Sequence, residues 1–157
     1  MAHKEQWVFC KKVKNLYPEK FKDVEVLDIC PAQDYNAPDC YYDTIISNEC
    51  WEHNPYYAES IINAVRMLKK GGLFLFTCAT TGRPVHGIKD LEKYCSQQHE
   101  NWKTMPNVSR EDWDNNYYKN LEEEDIREVL DIEKIFSNFS FEVELNHCDL
   151  YFWGIKK

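Results

Sequence analysis

Apolar residues recur along this chain with two different periods, and the switch between periods marks the elements. In the first segment Phe9, Val13, Leu16 and Tyr17 share one side of a helical projection, while Lys11, Lys12 and Lys14 share the other. That pattern predicts an amphipathic helix, closed by Pro18. Residues 24–29 are short and rich in β-branched side chains, which predicts a strand. Residues 31–39, with Pro31, Asn36 and Pro38, read as a loop. Residues 42–47 return to strand character around Thr44, Ile45 and Ile46, an apolar core of the kind a parallel sheet buries on both faces. Asn54 and Pro55 then suit a helix start. Ala58, Ile61, Ile62, Val65 and Leu68 form its stripe, and Gly71 and Gly72 are placed to end it in a left-handed cap. A strand at 73–77 follows at once. Strand, helix and strand with short connections make a βαβ unit with a right-handed crossover.

Periodicity fades over residues 79–119, where Gly82, Pro84, Gly87 and Pro106 mark a long loop region with room for a short helix at 90–96. A helix is predicted at 121–131, with Asn120 as cap, Glu123 completing a capping box, and Ile126, Val129 and Leu130 facing inward. The chain ends in two strands, 140–145 and 150–155, joined by the four residues 146–149. The whole reads as one domain: an N-terminal helix (1–20), a βαβ core (24–77), a long loop region (78–119), and a helix with a closing hairpin (120–157). The expected architecture is α/β, about five strands, mostly parallel with a C-terminal antiparallel hairpin, and helices on both faces.

Composition narrows what such a domain does. With 157 residues, 43% hydrophobic and 15% aromatic, the chain has enough apolar material for a packed core. The net charge of -8 offers no basic footprint for a phosphate backbone, so nucleic acid is not an expected partner. Glu122, Glu123, Glu124, Asp125, Glu128 and Asp131 read as a solvated helix face. Seven cysteines, an odd number with no C-x-x-C pair, argue against a disulfide framework and a four-cysteine zinc site. They are read as reduced thiols, consistent with a soluble cytoplasmic protein. The amino terminus has no signal-peptide run, and no segment reaches membrane-spanning length.

The block from Tyr42 to Phe76 carries the most specific signal. It runs Tyr42-Asp43-Thr44-Ile45-Ile46-Ser47-Asn48-Glu49-Cys50-Trp51-Glu52-His53, continues through a helix to Arg66-Met67-Leu68-Lys69-Lys70-Gly71-Gly72, and ends in Leu73-Phe74-Leu75-Phe76. This resembles the type-11 class I methyltransferases of small molecules, which carry an F-D-x-I strand, a Glu-His pair after it, a helix ending L-L-K-P-G-G and an apolar strand. Lys70 stands where that family usually has proline. The closing hairpin also fits the family, and residues 77–84 resemble a substrate-side loop in one of its subgroups. The resemblance implies a Rossmann-like methyltransferase fold, S-adenosylmethionine as cofactor, and a small-molecule or sugar-like methyl acceptor.

One part of the family's pattern is missing. Such enzymes open with a strand and then a glycine-rich loop, because any side chain there blocks close approach of the cofactor. Here residues 26–29 resemble that strand, yet no glycine occurs before Gly71. Residues 31–35 resemble instead the later loop that lies against the adenine. A loop–helix–strand unit of about thirty residues is therefore absent by comparison with the usual βαβ length, and the fold is a shortened one. The parallel edge that this leaves open predicts a homodimer or a partner chain covering it. Two functions follow: an S-adenosylmethionine-dependent methyltransferase, or a catalytically inactive methyltransferase-like binding or regulatory module.

Ligands of open α/β sheets sit beyond the carboxyl ends of the parallel strands, which selects the candidate residues. Glu52 and His53 are the candidate catalytic pair, with loop capping as the alternative role. Asp28, Cys30, Ala32, Gln33, Asp34, Ser47 and Asn48 are candidates for cofactor contact. Trp51, Arg83 and His86 are candidates for substrate contact, with Trp51 equally at home in the core. Cys50 and His53 form only one close pair of ligand type, so no metal site is expected.

Overall fold

The computed structural model describes residues 4–29, 32–88 and 116–157. The short helix expected at 90–96 and the candidate Cys30 lie outside them. The order of elements is α1 (Lys4–Leu16), β1 (Val26–Asp28), β2 (Tyr42–Asn48), α2 (Tyr57–Met67), β3 (Leu68–Ala79), α3 (Glu123–Val129), α4 (Ile132–Ile135), β4 (Phe136–Glu144) and β5 (Asp149–Lys156). Single turns of 3-10 helix occur at Pro18–Lys20 and Trp51–His53.

The strands form one five-stranded sheet in the order β1-β2-β3-β5-β4. β1, β2 and β3 run parallel, with Ile45 opposite both Leu27 and Phe74. β5 returns antiparallel to β3, and β4 antiparallel to β5. β3 is therefore the pivot between the parallel and antiparallel halves. Its alternating side chains split the core. Leu73 and Leu75 face α1, where they pack with Phe9, Val13, Tyr151 and Trp153. Phe74 and Phe76 face the larger cluster, with Ile61, Ala64 and Val65 of α2, Ile126 of α3 and Phe152 of β5. Helices thus cover both faces, as the period switch predicted. At Gly154 a β-carbon would meet Phe136 Cδ1 at 2.7 Å, so the aromatic packing of the hairpin requires the small residue there.

Several boundaries differ from expectation; α2 starts at Tyr57 behind Tyr56, not at Pro55 behind Asn54. α2 ends at Met67, and Leu68 is already extended and paired with Tyr42. Gly71, at φ +72, lies in the register shift that follows within β3, so it shapes a bulge rather than a helix cap. Asn120 does not cap α3. The capping box is built two residues later by Glu122 and Asp125, because the acidic run supplies better acceptors at the free N–H groups, while Asn120 donates to the carbonyl of Arg83 at 3.0 Å. β4 begins at Phe136, four residues earlier than expected, and the one-turn α4 precedes it.

Cys10, Cys40, Cys78 and Cys148 are free thiols, but Cys50 is disulfide-bonded. This corrects the expectation of seven reduced thiols: an odd count argues against a complete framework, not against one bridge. No described helix is long and apolar enough to cross a membrane.

Candidate functional site

The carboxyl ends of β2 and β3 converge on one polar cluster. β2 stops at Asn48, and Glu49 turns the chain with a left-handed φ of +50, a conformation that non-glycine residues adopt rarely. The backbone is held there by the Glu49 N–H donating to the carbonyl of Thr77 at 2.9 Å. The following 3-10 turn presents Glu52 and His53. Its other face is tied down by the N–H of Lys119, which donates to the Glu52 carbonyl at 2.8 Å. From β3 the chain continues through a turn in which Arg83 N–H donates to the Thr80 carbonyl at 3.0 Å, and this loop brings up His86.

Glu52 is fully buried, and neither carboxylate oxygen has a hydrogen-bond partner among the described residues. Its carboxyl pKa is pushed up to about 8, first by burial and then by the charge of Glu49. His53 Nε2 lies 3.9 Å from Glu52 Oε1. Burial, followed by the neighbouring His86, holds the His53 imidazole down at about 4. Near neutral pH the pair is therefore a carboxylic acid beside an uncharged imidazole, the opposite of the ion pair that the two residue types suggest. The rings of His53 and His86 stand perpendicular with centroids 5.0 Å apart, and both meet the edge or face of Tyr118 at 5.3 and 5.0 Å. His86 Nδ1 is 3.0 Å from the carbonyl of Pro84, which also accepts from the Tyr118 hydroxyl at 3.3 Å. One oxygen each of Glu52 and one nitrogen each of His53 and His86 lie within 4.8 Å of one another.

A second buried polar group lies beside the first. Asp149, at the start of β5, is fully buried. Arg83 Nη1 bridges it at 3.0 Å and also donates to the His147 carbonyl at 2.6 Å. Arg83 Nη2 lies 3.7 Å from Glu49. Gln6 of α1 donates to Glu49 at 2.5 Å and to Asp149 at 3.1 Å. Arg83, a candidate for substrate contact, is thus placed as an internal cation. Trp51 is fully buried in the main core cluster. Glu49, Asp149, Gln6, Tyr118 and Gly87 also shape this region. No motif marks them, because they meet only through the fold.

The fold and this site can be set beside known proteins. The sequence pattern of the family described as "Methyltransferase domain" (type 11) matches residues 9–76. No curated protein matches the chain. Among solved structures, the methyltransferase-like chain is similar to phosphoethanolamine N-methyltransferase 2 of Haemonchus contortus in complex with S-adenosyl-L-methionine. The identity is 16% and the TM-score 0.51, over 82% of this chain and 36% of that one. The same H. contortus enzyme with phosphomonomethylethanolamine and S-adenosylhomocysteine gives 16% and 0.50 over the same shares, 82% and 36%. The 1,6-didemethyltoxoflavin-N1-methyltransferase of Burkholderia thailandensis gives 13% and 0.48, over 82% of this chain and 49% of that one. The chain thus spans 36% to 49% of these structures' own length. The fold is the Rossmann-like methyltransferase fold in shortened form, and the protein is methyltransferase-like.

The cofactor side of this methyltransferase-like chain can be tested residue by residue. Beyond β1 the Ile29 N–H still pairs with Ile46 at 3.0 Å. Ala32 is fully buried, its N–H donating to Ser60 Oγ at 3.3 Å and its carbonyl accepting from Asn63 at 2.7 Å. Gln33 Oε1 accepts from Asn54 at 3.0 Å and from Ser60 at 2.7 Å. Asn48 Oδ1 accepts from Thr77 at 3.3 Å and from the Cys10 thiol at 3.8 Å. These loops hold α1, α2 and β3 in place. Asp28 and Asp34 are exposed, and Ser47 is buried with its hydroxyl unpartnered among the described residues. With no glycine turn, and with Ala32, Gln33 and Asn48 engaged inside the fold, the described residues do not fit S-adenosylmethionine.

Proposed function

We propose that this chain is a methyltransferase-like module that keeps the acceptor side of a small-molecule methyltransferase and does not hold S-adenosylmethionine by itself. The contrast between the two sides of the sheet's carboxyl end carries this reading. On the β1 side Ala32, Gln33 and Asn48 spend their polar atoms within the fold. On the β2–β3 side, the buried Glu52 carboxyl and His53 Nδ1 have no hydrogen-bond partner among the described residues. Buried polar groups that lack partners cost stability, and a ligand that supplies those partners offsets the cost. A small polar molecule bearing a hydroxyl or amine suits the neutral Glu52–His53 pair, which offers both a proton donor and a proton acceptor.

A second reading is an autonomous S-adenosylmethionine-dependent methyltransferase acting on a small-molecule or sugar-like acceptor. The family match over residues 9–76 favours it. In that reading Glu52 and His53 supply the acid and base, and a second copy or a partner chain along the outer edge of β1 completes the cofactor side. Exposed Val26, Tyr35 and Tyr41 near that edge support such pairing.

Calorimetric titration of the full chain with S-adenosylmethionine and S-adenosylhomocysteine, run beside sedimentation, separates the readings. The first predicts no heat and no rise in melting temperature even at millimolar ligand. Micromolar binding overturns it and establishes the second. Binding that follows the dimer fraction assigns the missing contacts to the partner copy.

A further inference from the structure

We propose that Glu52, His53 and His86 form a binding site for a divalent first-row transition-metal ion, with zinc as the reference occupant. The inference rests on the reading of this cluster as the ligand-facing side, and it is independent of S-adenosylmethionine. The three donor atoms come from two separate loops, the turn after β2 and the loop after β3, yet lie within 4.8 Å of one another. Two imidazoles and one carboxylate make a donor set that zinc takes in its three-ligand sites, where a fourth position stays open for water or substrate.

Four observations point to a cation rather than to a hydrogen-bonded arrangement. First, Glu52 is fully buried with both oxygens unpartnered among the described residues, and a cation that takes the place of its proton would satisfy them. Second, the nearby side-chain cations are committed elsewhere: Arg83 to Asp149 and Glu49, and Lys119 to Asp125. Third, the Pro84 carbonyl can only accept, so His86 Nδ1 beside it carries the proton. Ligand histidines are commonly oriented in this way by a carbonyl. Fourth, Gly87 lies against His53 so closely that a β-carbon would meet Cε1 at 2.8 Å, which brings the two loops together at the donors.

The geometry needs a modest contraction. Ligand atoms about 2.1 Å from a tetrahedral ion stand about 3.4 Å apart. The Glu52–His53 separation is 3.9 Å, so this pair is within about half an ångström of that arrangement. His86, on a partly exposed loop, supplies the remaining movement.

The test is direct metal binding by the full chain, stripped with a chelator and titrated with cobalt(II), then challenged with zinc. One equivalent of cobalt should bind with micromolar or tighter affinity and be displaced by zinc. Its visible bands should be those of a four- or five-coordinate nitrogen–oxygen site, without the near-ultraviolet thiolate band that the free cysteines would give. Glu52→Gln and His86→Ala should each weaken binding by on the order of tenfold or more. His147→Ala, outside the cluster, should leave it unchanged. Because Glu52→Gln removes a buried acid and keeps its shape, it should fold at least as well as the parent. Saturable binding that Glu52→Gln and His86→Ala leave intact, a thiolate band, or no binding at millimolar metal each overturns the proposal. Since the readout is the metal itself, a failed cofactor titration does not bear on it.

Discussion

Gly87 lies against the imidazole of His53, with space for a hydrogen and none for a methyl group: a β-carbon there would meet Cε1 at 2.8 Å and Nε2 at 3.3 Å. Its φ of +65 adds a second reason for glycine. Gly87→Ala should therefore cost about 1–2 kcal/mol for the left-handed backbone and displace the His53 ring. Nuclear magnetic resonance of the histidine ring protons checks this. A His53 signal unmoved in a folded Gly87→Ala variant would show that the two loops are not in register.

Arg83→Met should be among the most damaging substitutions outside the apolar core. It strands Asp149, fully buried, beside Glu49 with no guanidinium between them. Removing one partner of a buried ion pair costs about 3–5 kcal/mol. Urea unfolding measures the loss, and adding Asp149→Asn should recover part of it. A loss below about 1 kcal/mol, the ceiling for exposed pairs, would mean that Arg83 is a surface residue in solution.

Stability should fall as pH rises from mildly acidic to neutral. Glu49 is pushed up to about 7 from 4.5, first by burial and then by the charge of Asp149. The unfolded chain therefore releases this proton near 4.5, while the folded chain keeps it to about 7. Across that window the folded state binds more protons, so its advantage shrinks with rising pH and then levels off. Melting temperatures taken from pH 4 to pH 9 should show the decline, and Glu49→Gln should reduce its slope, Glu52, pushed up to about 8, supplying a decline of the same sign. A parent profile that rises over the same range contradicts the assignment.

Thiol labelling should be ordered by burial. Cys40 is exposed, whereas Cys10 is pushed up to about 11, mainly by burial and then by Asp28. Cys78 is fully buried, and burial raises it well above the ordinary thiol value. Since the thiolate is the reactive form, an alkylating reagent at mildly alkaline pH should mark Cys40 well before Cys10 and Cys78, as read by peptide mass spectrometry. Early modification of Cys78 would show that the end of β3 opens readily.

Much of the fold was legible because it rests on local patterns. The apolar runs at 24–29, 42–47 and 73–77 announced parallel strands, and the stripe through Ile61 and Val65 announced the helix between them. The missing glycine turn was equally legible, and the sheet order with β1 at its edge agrees with it. The site was only half legible. Glu52 and His53 were visible as neighbours in sequence, but their protonation is set by burial, which a pair of letters does not display. His86 joins them only because β2 and β3 are adjacent in the sheet. Arg83 looked like a free cation in a loop, since nothing local reveals that Asp149 waits across the fold. Gly71 and Gly72 looked like a helix stop because a bulge and a cap both require glycine, and only the pairing of Leu68 with Tyr42 decides between them.

The central position of β3 has a consequence for how the molecule breathes. Backbone amides of β3 and β5, paired along their lengths and buried on both faces, should exchange with solvent only on global opening. Those of β1, three residues long with one neighbour, should exchange by local fraying. The slow-exchange boundary then falls at β2. Glu52 and His53 hang from its far end and His86 from the end of β3, so the cluster is mounted on the most persistent part of the molecule, and loss of the β1 edge would leave it standing.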